Sequence, residues 1–198
     1  MASVVFLRAV NVGKANRCQP ALIAKQLAKF DIVNIGAVGT FVVRKDVSES
    51  VLRAALVRKL PFKCEIMICP ARDVVKLASR DPFEGQPSGP NITRFVSISA
   101  KPLPAGIRYD SHQTSAARPA RTIKPQTSRL PPLPLSLPSD DDWLLKIIAI
   151  QGRFVLGLYH RQMKAISYLG KIEKLLGVPV TTRNWNTIEK VVKILSED

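Results

Sequence analysis

The sequence is short of acidic residues, histidine, cysteine, aromatics and long apolar runs, and each shortage removes a class of protein. Fifteen Asp+Glu stand against thirty Lys+Arg, giving a net charge of +15 and an isoelectric point near 10.2. That balance disfavours cationic partners and favours polyanions. The charge is scattered and forms no Lys/Arg block, so a merely solvated basic surface stays open as an alternative. Two histidines, His112 and His160, and three cysteines, Cys18, Cys64 and Cys69, supply no C-x-x-C pair and no zinc-ligand spacing. No metal and no cofactor is expected. An odd, unclustered set of thiols fits a reducing cytosol, which makes the expected location cytoplasmic. No apolar stretch approaches the roughly 20 residues of a membrane span, so no membrane partner is expected. The opening apolar run stops at Arg8, short of a signal peptide's apolar core.

Enzyme signatures are missing too. There is no H-E-x-x-H and no G-x-S-x-G, and the Gly13-Lys14 pair lacks the upstream glycine and the Ser/Thr of a phosphate-cradling loop. The acidic run Asp140-Asp141-Asp142 reads as a solvated loop end or a cap before it reads as a metal site. No reaction can be read from these residues.

What is present is core-forming material. The chain has 198 residues, 46% of them apolar, enough for one large domain or two small ones. SVVFLRAV (3–10) is rich in β-formers, and Pro20 suits a first helical position ahead of Ile23, Leu27 and Phe30. DIVNIGAV and TFVVR read as a hairpin turning at Gly39. Asp46 and Glu49 have the spacing of a helix-start pair, with Ser48 a competing cap, and Leu52, Ala55, Leu56 and Leu60 mark a buried face. CEIMIC (64–69) is a fourth strand, and ARDVVKLASR (71–80) a further helix. The order β-α-β-β-α-β is the ferredoxin-like one.

RFVSISA (94–100) starts a second half. Residues 101–139 then hold eight of the fifteen prolines, six Lys+Arg and one acidic residue, and read as a basic, mobile insert. Two β-rich runs around Gln151-Gly152 follow, then a helix marked by Met163, Ile166, Leu169, Ile172 and Leu176 and stopped by Gly177 and Pro179. VPVTTR and a helix buried through Ile188, Val191, Val192 and Leu195 close the chain, with Asn186 and Glu189 at capping-box spacing. The expectation is an α+β protein of two tandem ferredoxin-like subdomains, 1–90 and 91–198. In the second, the insert replaces or shrinks a helix.

Two polar knots stand at strand ends. Alternation along the first strand sets Val5, Leu7 and Ala9 on one face and Val4, Phe6, Arg8 and Val10 on the other. Asn11, Lys14, Asn16 and Arg17 follow. The second knot is TTRNWNT (181–187), where a helix start offers free N–H groups and Arg183 a planar fork for phosphate or carboxylate. Arg8, Asn11, Lys14, Arg183, Asn184 and Asn186 are therefore the candidate ligand-binding residues. Their structural alternatives are a helix cap for Asn186, a turn for Asn11, and bonds to protein carboxylates or carbonyls for the arginines.

FLRAVNVG (6–13) and TTRNWNT, with the glycine-centred hairpin at 36–43 and DPF (81–83) between them, resemble the signatures of the bacterial domain-of-unknown-function family numbered 1697. The resemblance covers nearly the whole chain outside 101–139. It implies two ferredoxin-like subdomains and no activity. The hairpin departs from the family's Ser-Gly-Asn, carrying Val38, Gly39 and Thr40 instead.

Three functions fit these residues. One is a binding module whose two knots form one pocket for an anionic small molecule or nucleic acid. Another is an enzyme on a phosphorylated or carboxylated small molecule, for which no acid or base is identifiable. The third is a structural protein whose knots fix the packing of its halves. Phe6 and Phe41 stand where a ferredoxin-like sheet stacks bases, although GTFVVR has a single aromatic.

Overall fold

Two antiparallel sheets face each other across a shared layer of two helices. The computed structural model describes residues 1–11, 16–103 and 133–197. The first half runs β1 (Ser3–Leu7), α1 (Pro20–Gln26), β2 (Ile32–Ile35), β3 (Thr40–Val43), α2 (Glu49–Lys59), β4 (Ile66–Pro70) and α3 (Ala71–Ala78). Its sheet has the order β2-β3-β1-β4. The second half runs β5 (Ile92–Ser99), β6 (Leu135–Leu137), β7 (Leu145–Gln151), β8 (Phe154–His160), α4 (Met163–Leu176), β9 (Val180–Asn184) and α5 (Trp185–Ser196). Its order is β6-β7-β8-β5-β9. The protein is thus a mixed α+β molecule, and among the described residues no helix is long and apolar enough to cross a membrane.

Strand alternation splits the apolar residues of each sheet between two cores. On the first sheet Val5, Leu7, Phe41 and Val43 meet α1 and α2 through Ile23, Leu27, Leu52 and Leu56. Val4, Phe6, Val42 and Met67 point the other way, toward the second sheet's Val96, Ile98, Leu156 and Leu158. Between them lie α3 and α5, each with apolar residues three apart: Ala71, Val74, Leu77 and Trp185, Ile188, Val191. The outer face of the second sheet buries Phe95, Leu145 and Val155 under Ile172 and Leu176 of α4. Gly157 of β8 lies against the Phe95 ring; a Cβ there would come within 2.4 Å of the Lys146 carbonyl.

Several local expectations change. Ser48, not Asp46, caps α2, its Oγ accepting from the Val51 N–H at 3.4 Å. Asn184 occupies the N-cap of α5, leaving Asn186 inside the first turn; β9 runs straight into the helix, so the capping-box pair sits two residues late. The alternation of β1 stops at Leu7. Ala9, at φ +55°, turns the chain, and Val10 packs with Val5 and Leu7 rather than beside Phe6. The proline-rich stretch is not structureless throughout. Leu135–Leu137 pair with β7, and Leu133, Leu135 and Leu137 cover the outer core, because leucines spaced by two supply an apolar edge despite the prolines. The remainder of the expected mobile insert, 104–132, lies outside the described residues.

Candidate functional site

The knot at the end of β9 divides by alternation. Arg183 stands opposite Val96 and Thr181 opposite Ile98, so both side chains lie on the face turned toward the first sheet. Asn184, opposite Phe95, lies on the other face.

Arg183 is 6% exposed and reaches into the hairpin of the first half. Its Nε donates to Thr40 Oγ1 at 2.8 Å, and one terminal nitrogen donates to Thr181 Oγ1 and the Thr182 carbonyl, both at 2.8 Å. The other donates to the Leu7 carbonyl at 2.7 Å and the Val38 carbonyl at 2.8 Å. All five N–H groups of the fork are thereby satisfied by protein. Burial pushes the guanidinium down to about 10, still far above neutral pH, so it is charged without a carboxylate partner. Carbonyl dipoles balance it instead. Gly39 makes the socket possible: its φ is +73°, and a Cβ would stand 2.8 Å from Leu7.

Arg8 is engaged as well. Its Nε and one terminal nitrogen donate to the two oxygens of Glu173 on α4, each at 2.8 Å. This fork raises the Arg8 pKa and lowers that of Glu173, whose carboxylate also accepts from the Val180 N–H at 3.1 Å. Arg8 and Arg183 line one groove of about 430 Å³, so the two knots do meet in space. They meet as a joint, each arginine reaching into the opposite half. The Asn11 amide closes its own turn, donating to the Cys18 and Ala37 carbonyls at 3.0 and 2.6 Å while its oxygen accepts from the Cys18 N–H at 3.0 Å. Lys14 lies outside the described residues.

The expected single pocket is therefore corrected: Asn184 and Asn186 line a different one, because β9 presents Asn184 on its other side and Asn186 follows in the first turn of α5. That second pocket, of about 190 Å³, adds Thr93, Arg94 and Arg161 to the two asparagines. Antiparallel pairing brings them together, since the start of β5 lies beside the end of β8 and the end of β9. Arg161 Nε donates to Thr93 Oγ1 at 3.0 Å, and its two terminal nitrogens have no partner among the described residues. Arg94 lies 3.9 Å from Asp81 and over the Phe83 ring. No side chain caps α5. Cationic forks and a positive helix end thus face the same polar space. The sequence signal for Arg94 and Arg161 was the strand order itself, which sets these three strand ends side by side.

Two other expectations end in packing. Phe6 and Phe41 are fully buried on opposite faces of the first sheet, so they form no base-stacking platform. Trp185 is 5% exposed and meets Phe83 edge-on at 5.1 Å, while the Asp81 carboxylate of DPF accepts from the Phe83 N–H at 2.9 Å.

No family model matches the chain, and no curated protein matches it. Among solved structures it is similar to a conserved bacterial protein of Streptococcus pneumoniae, with a TM-score of 0.57 over 98% of each chain and 13% identity. At that identity the likeness is one of fold.

Proposed function

We propose that the protein is a binding module for an anionic, phosphate- or carboxylate-bearing group, held where α5 begins. One observation carries this reading: the start of α5, which no side chain caps, and the unspent nitrogens of Arg161 share a polar pocket with Arg94 and two asparagines. The buried Arg183 of the same knot does not line this pocket. Among the described residues the pocket's lining includes no carboxylate or histidine to act as acid or base, which favours binding over turnover.

Isothermal titration with inorganic phosphate and pyrophosphate tests the reading. Saturable binding is expected, weakened about tenfold or more in Arg161→Ala, with the variant's melting temperature near that of the parent. Parent-like affinity in both Arg161→Ala and Arg94→Ala would overturn it.

The finer architecture belongs to the same proposal. We infer that 1–90 and 91–198 are two ferredoxin-like units of the family numbered 1697. The shared strand order, β2-β3-β1-β4 against β7-β8-β5-β9, supports this, as do the FLRAVNVG and TTRNWNT motifs. A cytoplasmic location is proposed on the three free thiols.

A further inference from the structure

The anion pocket is the middle of three adjoining cavities. On one side it shares Ser88, Gly89, Ile92 and Arg161 with a cavity of about 460 Å³ that His160 and Gln162 also line. On the other it shares Arg94 with one of about 510 Å³ that continues past Trp185 to Arg80 and Lys193. The result is a track with basic groups at successive points: Arg161, Arg94, then Arg80 and Lys193. Asp81 and Glu189 enter only in the last cavity, so the first two carry the less compensated positive charge. At the first end His160 packs against Trp143, ring centroids 4.3 Å apart, and both rings are partly exposed.

From this arrangement we infer that the ligand is a short single-stranded nucleic acid, with one phosphate at the start of α5, its neighbours along the arginines, and a base against Trp143. The inference rests on the proposed anion site and extends it. A lone phosphate needs the middle pocket alone. A chain of phosphates with flat bases uses both the spaced cations and the aromatic end, and the net charge of +15 favours its approach.

Fluorescence anisotropy with a labelled ten-residue oligothymidylate, between 50 and 200 mM salt, tests this together with phosphate titration. Affinity should fall linearly with salt on logarithmic axes, and Arg161→Ala should reduce the slope by about 0.7. The chain has two tryptophans, and Trp185 is buried, so the oligonucleotide should quench Trp143 emission while inorganic phosphate does not. Trp143→Phe should weaken the oligonucleotide severalfold and leave phosphate binding unchanged. Lys59→Ala, at the end of α2 on the outer face of the first sheet, is the charge-matched control and should bind like the parent.

If phosphate binds with dependence on Arg161 but the oligonucleotide binds no more tightly, the inference falls and the anion site stands. Failure of both ligands removes both. Equal loss in the lysine control reduces oligonucleotide binding to general charge, which overturns the track.

Discussion

Two arginines of the second half cross to carbonyls of the first, at different places along the interface. Arg183 is nearly sealed and spends its Nε and one terminal nitrogen there, the other terminal nitrogen staying with Thr181 and Thr182. Arg153, in the turn between β7 and β8, is half-buried; one nitrogen donates to the Ile68 carbonyl at 2.9 Å and lies 3.3 Å from that of Ala100 and 3.7 Å from Cys69 Sγ. The chemistry is the same and the setting differs. Where water is excluded, each donor removed strands an acceptor. Where water has access, the acceptor is resolvated. The same residue type is therefore a keystone at one site and a minor tie at the other.

The comparison breaks most visibly at Arg183. Arg183→Ala leaves the buried Thr40 hydroxyl and the partly buried Val38 carbonyl without this donor, and the Leu7 carbonyl with the Thr181 hydroxyl alone, so urea unfolding should show a loss of about 3–5 kcal/mol. A loss below about 1 kcal/mol would mean that water enters the socket. Arg153→Ala comes next, at about 1 kcal/mol by the same measurement. It should also make Cys69 slower to alkylate, since burial holds the thiol up to about 11 and Arg153 is the charge and donor that pulls it back down. The smallest effect belongs to the third cross-link, Arg8–Glu173, whose side chains are 36% and 31% exposed. Glu173→Gln should cost under about 1 kcal/mol at neutral pH. Its signature is in the pH profile. Arg8 holds the Glu173 carboxyl below its ordinary value, so the contribution is present above the usual carboxylate range and is lost as pH falls through the lowered value. The variant should show a flatter acid limb than the parent.

Much of the architecture was legible because hydrophobic period reports it directly. The two-residue alternation of SVVFL and the three-to-four spacing of Ile188, Val191 and Leu195 each specify one element and one buried face. The edge strand Leu135–Leu137 was obscured by its prolines, which signal loop locally while tolerating a sheet edge. The site was half legible. TTRNWNT marked the right strand end, but period two assigns Arg183 and Asn184 to opposite faces, and the fork for an anion had to come from elsewhere. Arg94 and Arg161 carry no local signature; their nearness to α5 exists only once β8, β5 and β9 are paired. Glu173 escaped for a like reason, since its partner lies in the other half.

The link from Ser79 to Asn91 has neither helix nor strand and is mostly exposed. A cut there would yield fragments with bare, matching apolar sides, one carrying the acceptors of the Arg183 socket and the other its plug. Produced together, such pieces should find each other and rebuild the whole, which makes this chain a natural starting point for a two-part complementation tag.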